Sequence, residues 1–411
     1  MSTQTALDMP KRFIEFFAGI GLVRCALEKS GWLCLYANDF DPKKQEQYEA
    51  RFGASDFHLG DIFDTDEVVS RLPKSVTLAT ASFPCVDLSL AGNWKGIDGE
   101  HSSAVFGFLD CIRAIEAPQI LLLENVVGLL SSNNGKDFSR LATLLSELGY
   151  WLDSFQLDAK YFVPQSRPRV FIVAVHESVI HQFDSLKSTD DFVLGLNWET
   201  SIGLQSEIRP QRLCRLMSST ELATGWFCSG ISTPREARAK LEELIDLGDD
   251  QEWWEASQVK KHYDMMHDSH RHQIDRLLRD REFFVGTIYR RKRAGKTRAE
   301  VRFDGVAGCL RTPKGGSARQ IVVTTIDGEL RIRWMNPREY ARLQGADNFP
   351  LVGKTNQQLF GFGDAVCVPV IEWIDETVLS PIAASLATLT RAYVGRQFRH
   401  SVELCRDSGI G

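Results

Sequence analysis

Short unbroken apolar runs, separated by amphipathic stretches, fill the first 180 residues of the chain. Arg12-Phe-Ile-Glu-Phe-Phe17 reads as a strand that runs into Ala18-Gly19-Ile20-Gly21, and Leu22 to Ser30 follows as a helix. Trp32 to Ala37 is the next strand, and Asp41 to Phe52 is helical with its polar residues outward. Further apolar runs lie at 77–83, 119–123 and 169–175. Continuous apolar strands spaced by helices predict a parallel sheet covered on both faces. The expected fold class is therefore α/β, doubly wound and mostly parallel.

From about residue 185 the alternation stops. Residues 234–282 are charged and predicted mostly helical, with Thr233-Pro234-Arg235-Glu236 patterned as a capping box. Residues 283–333 are predicted β-rich, with a Gly315-Gly316 turn. Asn336-Pro337-Arg338-Glu339 is a second capping box, predicting a helix through Leu343. A final helical segment near 369–396 is apolar enough to pack back on the first domain.

With 411 residues, one large and one smaller domain is the natural expectation. No apolar run is long enough to span a membrane, and the first residues lack a signal-peptide pattern. The nine cysteines include no Cys-x-x-Cys pair, so no disulfide framework or zinc ribbon is expected, and a reducing cytosol fits. Net charge is −6, but it is uneven. Between Arg271 and Arg319 stand fourteen Lys/Arg and five Asp/Glu, a local +9 that leaves −15 elsewhere. Aromatic and glycine residues are interleaved there, which favours a phosphate-binding face over a merely solvated one. Arg290, Arg291, Lys292, Arg293, Lys296 and Arg298 are candidate phosphate contacts. Arg311 and Lys314, in a donor-rich loop, are candidates for either bases or backbone.

The candidate chemistry sits at predicted strand ends, where an open parallel sheet forms its ligand crevice. Phe17-Ala18-Gly19-Ile20-Gly21 connects a strand to a helix and lets backbone approach a ligand. Asp39, twenty residues after Gly19, is placed to take both hydroxyls of a ribose. Asp61 is placed to bond an adenine amino group. Arg24 replaces the third glycine of a dinucleotide loop, which favours an adenosyl ligand without phosphates and disfavours a nicotinamide oxidoreductase. Pro84-Cys85 ends one run and Glu124-Asn125-Val126 ends another. A thiol and an acid so placed suggest covalent catalysis. Arg167 and Arg169 follow in Gln165-Ser166-Arg167-Pro168-Arg169.

Phe-x-Gly-x-Gly, Pro-Cys-x-x-x-Ser, Glu-Asn-Val, Gln-x-Arg-x-Arg and Gly-x-Ala-Val occur here in that order. The set resembles the ordered motifs of the C5-cytosine DNA methyltransferases, over residues 12–176 and 330–372. The resemblance implies a sheet of the S-adenosylmethionine-dependent methyltransferase type and methyl transfer to cytosine C5. It implies that Cys85 adds to C6, that Glu124 holds and protonates N3, that Arg169 holds O2, and that Arg167 helps place the loop. It carries Phe17, Ala18, Gly19, Ile20, Gly21, Asp39, Phe40, Asp61, Ile62, Pro84 and Asp364 over as cofactor contacts, and Ser89 as a nucleic-acid contact. No metal is expected.

The same resemblance divides the chain into a catalytic domain (1–184), a target-recognition domain (185–330) and a return segment (331–411). It implies double-stranded DNA as partner, a cytosine flipped from the stack, and a monomer on DNA in the microbial cytosol. It leaves room for a cognate restriction endonuclease encoded alongside. The alternative activity is the same methylation on transfer RNA; the long basic insert favours DNA. A binding module without activity is disfavoured by the intact Cys85, Glu124, Arg167 and Arg169.

Overall fold

The computed structural model describes residues 11–84, 103–183, 207–229, 231–234, 239–293, 295–313 and 318–386. Among them, seven strands form one sheet: β1 (Arg12–Phe16), β2 (Leu33–Asp39), β3 (Phe57–Leu59), β4 (Leu78–Ala81), β5 (Ile120–Val126), β6 (Tyr150–Asp158) and β7 (Pro168–His176). Their order is β3-β2-β1-β4-β5-β7-β6. β1 to β5 run parallel, with β1 between β2 and β4. β7 is antiparallel to both β5 and β6. The α/β, mostly parallel expectation holds. The direction of β7 and the whole of β6 are additions, because a buried apolar run reads alike in either orientation.

Helices α1 (Leu22–Lys29), α2 (Pro42–Phe52), α3 (Thr65–Arg71), α4 (Ala104–Ala114), α5 (Lys136–Glu147) and α6 (Glu177–Phe183) alternate with these strands. The chain leaves β1 toward β2 on one side and reaches β4 on the other. That reversal opens a crevice outside the carboxyl ends of β1 and β4. Because β7 is antiparallel, its first residues lie at this same end.

A second sheet, ordered β11-β10-β8-β9, is antiparallel throughout: β8 (Phe284–Arg293), β9 (Lys296–Arg302), β10 (Ile321–Ile326) and β11 (Glu329–Trp334). It packs with the helices Ala256–Asp264 and Asp268–Arg279 around Met266, Ile274, Ile288 and Ile332. Of the first capping box, Arg235 and Glu236 lie outside the described residues. Residues 207–229 pack on the flank of the large sheet, where Arg209, wholly buried, donates from Nη2 to both carboxylate oxygens of Asp153 of β6, at 2.9 and 2.8 Å.

The return segment closes the large domain. The second capping box forms as expected: Asn336 accepts from Glu339 N at 2.9 Å, and Glu339 accepts from Asn336 N at 2.8 Å. Glu339 also pairs with the buried Arg333, with Nη1 at 2.9 Å. The helix Val368–Ile374 continues to residue 386 and lies on α1, with Trp32 Nε1 donating to Asp375 at 2.7 Å. Glu339→Gln leaves the Arg333 guanidinium buried beside a neutral partner. A loss of about 3 kcal/mol is expected, measured as a lowered denaturant midpoint at unchanged slope.

Candidate active site

One crevice at the carboxyl ends of the strands gathers the ends of β1, β2, β4 and β5, the start of β7 and the return segment. Phe17, at the end of β1, holds φ of +56°, a left-handed conformation that costs a non-glycine residue about 1–3 kcal/mol and marks functional loops. Gly19 has φ of +58°, and a Cβ there would point into open space. Gly21 is different: a Cβ would meet Phe52 and Tyr48 within 2.8 Å, so this glycine serves the packing of α1 on α2. Arg24, at the missing third glycine, bonds Tyr48 Oη at 2.9 Å and pairs with Asp56 at 3.1 Å. Its guanidinium ties α1 to the second strand–helix unit.

Asp39 ends β2 and is buried. Its Oδ2 accepts from Gly19 N at 2.9 Å and its Oδ1 from Asp41 N at 3.0 Å. These bonds fix the carboxylate over the glycine loop, with lone pairs left for further donors. Phe40 beside it is 64% exposed. Phe17, Ala18, Gly19, Asp39, Phe40, Pro84 and Asp364 line the crevice; Ile20, Gly21, Asp61 and Ile62 do not. Ile62 is buried against α4 and Asp61 caps its own turn, donating nothing to the crevice and accepting from Phe63 N at 3.1 Å. The Gly60-Asp61 turn is nonetheless tied to the end of β2, since Asn38 Nδ2 donates to Gly60 O at 2.9 Å.

At the other end of the crevice stands Glu124, 9% exposed. Arg169 Nε is 2.8 Å from its Oε1. The register explains the meeting: Val126 pairs with Arg169 and Glu124 with Phe171, so Glu124 and Arg169 are diagonal neighbours on one face. Burial pushes the Glu124 carboxyl above its ordinary range, although Arg169 and Arg167 oppose this. Asn125, which the sequence marked only as part of a motif, donates Nδ2 to Phe83 O at 3.1 Å. That bond locks the end of β4, and hence Pro84, beside the end of β5. Cys85 and Ser89 lie outside the described residues.

The Gln165–Arg169 motif divides its labour. Gln165 Nε2 donates to Leu343 O at 2.6 Å, and its Oε1 accepts from Leu310 N at 3.2 Å. Arg167 is buried and donates to the carbonyls of Leu310, Gly363 and Ala365 at 2.9, 3.0 and 2.7 Å. It does not line the crevice. Arg167 therefore positions the surrounding backbone, and Arg169 alone of the two reaches the site. Gly363 completes this junction: a Cβ would meet the Arg311–Thr312 backbone within 2.9 Å.

Glu15 was absent from the sequence candidates because it sits in an apolar run. It is 2% exposed, lines the crevice, and its Oε2 has no hydrogen-bond partner among the described residues. Burial raises its pKa to about 8, against a lowering by Arg24. The native state thus holds a proton that the unfolded chain has lost above about pH 4.5. Stability from this group is full below that pH and falls as pH rises toward 8. Glu15→Gln is expected to remove this component of the slope, read as melting temperature against pH across that window.

The basic residues of the second sheet are not equivalent. Arg290 stacks on Trp334, 4.8 Å from the ring centroid, and Arg291 pairs with Glu300 at 2.9 Å. Lys292, Lys296 and Arg311 are exposed, and Arg298 is half-buried. Lys314 and the side chain of Arg293 lie outside the described residues. Among the described residues no cluster of three metal-ligating groups occurs, and no helix is long and apolar enough to cross a membrane.

The pattern of the C-5 cytosine-specific DNA methylase family matches residues 11–380. The chain belongs to that family. It is a DNA (cytosine-5-)-methyltransferase. The type II methyltransferase M.HpaII of Haemophilus parainfluenzae is 27% identical over 387 residues, which cover 90% of this chain and 89% of that protein. M.HhaI of Haemophilus parahaemolyticus is 34% identical over 163 residues, 39% of this chain and 48% of that protein. Among solved structures, the S. pombe Dnmt2 methyltransferase has a TM-score of 0.54 at 14% identity, with 90% of this chain and 98% of that one covered. That likeness shows the fold of this methylase to be shared.

The family implies S-adenosylmethionine as methyl donor, and the crevice suits it. Asp39 offers a carboxylate beside the exposed ring of Phe40, the glycine loop leaves open space, and Glu15 Oε2 is a buried oxygen with no donor among the described residues.

Proposed function

We propose that this methylase modifies C5 of a cytosine rotated out of a specific double-stranded DNA sequence, with Cys85 as covalent nucleophile. One observation carries the reading: Asn125 clamps the segment leading to Cys85 against Glu124, in the same crevice as the Gly19–Asp39 loop. C5 of cytosine is a poor nucleophile. Addition of the Cys85 thiolate to C6, with a proton passed from Glu124 to N3, turns the ring into an enamine that is nucleophilic at C5. Arg169 orients Glu124 and offers a donor to O2. S-adenosylmethionine supplies an electrophilic methyl group when bound. Asp39 would take its ribose hydroxyls, Phe40 its adenine face and Glu15 its ammonium. Loss of the C5 proton and elimination of Cys85 release the methylated base.

The target atom is inaccessible in stacked duplex, so the base must leave the helix to reach the crevice. Lys292, Lys296 and Arg311, exposed on the second sheet and its following loop, would contact phosphates. Arg290 and Arg291 are engaged within the sheet and serve its shape. The type II relatives support a role as the modification partner of a restriction endonuclease. Genomic DNA and transfer RNA, each incubated with enzyme and labelled S-adenosylmethionine, test the reading. Label is expected at cytosine C5 in one DNA sequence context; label in RNA alone would replace DNA as substrate.

A further inference from the structure

Four carboxylates line the crevice, Glu15, Asp39, Glu124 and Asp364, against two cationic side chains, Arg169 and Lys44. Arg169 is committed to Glu124 at 2.8 Å. Lys44, on α2, reaches in between the ends of β2 and the return segment. Its Nζ lies 3.8 Å from Asp39 Oδ2 and 3.4 Å from Asp364 Oδ2. Both distances exceed the 2.7–2.9 Å or so of a tight charge-assisted bond. The Lys44 side chain is only 19% exposed, whereas that of Asp364 is 48% exposed. Burial opposes the charge on Lys44, yet Asp39, Asp364 and Asp41 outweigh it and hold its pKa above the ordinary value.

A loosely paired, buried ammonium beside a solvent-facing carboxylate is suited to exchanging that carboxylate for another. The methyl donor carries one. With Asp39 and Asp364 near its path and Arg169 already paired with Glu124, Lys44 is the cationic side chain of the crevice lining left for its α-carboxylate. We propose that Lys44 binds the α-carboxylate of the methyl donor, replacing Asp364 at its ammonium. The proposal rests on the crevice being the donor site. Asp364, freed, turns to water at small cost because it is already half exposed. Lys44 would then bind the amino-acid end of the donor while Asp39 binds the ribose.

Calorimetric titration with S-adenosylhomocysteine and with 5′-methylthioadenosine separates these roles. The second ligand keeps the adenosine and sulfur but lacks the amino-acid end. Lys44→Met is expected to weaken S-adenosylhomocysteine about tenfold or more, the loss of one charged hydrogen bond, and to leave 5′-methylthioadenosine within about twofold. Asp364→Asn is expected to tighten S-adenosylhomocysteine, and to do so only while Lys44 is present. Equal weakening of both ligands by Lys44→Met would make Lys44 a structural latch and overturn the proposal, as would no weakening at all. If Lys44→Met does not fold, a failure of Asp364→Asn to tighten binding overturns it alone. A wild-type enzyme that bound neither ligand would overturn the crevice assignment itself.

Discussion

Cys85→Ser is expected to abolish methyl transfer, lowering turnover by at least about four orders of magnitude, while S-adenosylhomocysteine still binds. The thiol is needed because it reaches a usable thiolate fraction near neutral pH, whereas a serine hydroxyl does not. Without addition at C6 the ring stays unreactive at C5, so no other residue in the crevice compensates. The donor contacts proposed at Glu15, Asp39, Phe40 and Lys44 lie on β1, β2 and α2, apart from position 85, and should be untouched. A duplex with 5-fluorocytosine at the target position checks the covalent step directly. Fluorine cannot leave as the C5 proton does, so wild-type enzyme should remain attached through denaturing electrophoresis and the serine variant should not. Wild-type enzyme that methylates DNA but never becomes trapped would remove the nucleophilic role of Cys85.

Glu124→Gln is expected to reduce kcat by about 10²–10⁴-fold, the usual contribution of a positioned general acid. Glutamine keeps the shape, and Asn125 still ties Phe83 to the end of β5. It cannot pass a proton to N3. The pH profile distinguishes this from loss of a mere contact. Burial raises the Glu124 pKa, so the proton persists to higher pH than in an ordinary carboxylic acid and is lost as pH rises through the shifted value. Wild-type kcat should therefore fall on that alkaline limb, and the residual rate of the glutamine variant should lack it. Loss of the buried ion pair between Glu124 and Arg169 makes some loss of stability a second expected result, read from thermal melting.

The catalytic strand ends were legible because their signals are local. A run of apolar residues that stops at Pro84 or Glu124 announces a strand end, and the twenty-residue spacing from Gly19 to Asp39 follows from one strand–helix–strand repeat. Asn336 and Glu339 were legible for the same reason, since a capping box lies within four residues. Other assignments needed distances between segments far apart in the chain. Gln165 stood only as a motif residue and Arg167 only as a residue that helps place the loop until their partners at Leu343, Leu310, Gly363 and Ala365 are seen. Ile62 and Gly21, matched by motif to the donor, are turned into packing contacts. Arg290 and Arg291 look equivalent to Lys292 in a basic run, but their contacts with Trp334 and Glu300 separate them from it.

Sequence by itself determined the alternation of strands and helices and the family, and it named Cys85 and Glu124 as candidate nucleophile and acid, because periodicity and motif order are properties of neighbouring residues. Only the tertiary structure decided that β7 runs antiparallel, that Asn125 joins two strand ends, and that Glu15 and Lys44 face the crevice. A buried glutamate in an apolar run and a lysine in a charged helix carry no local mark of function. Their roles arise from desolvation and from charges brought near by folding, which chain order does not encode in any single window.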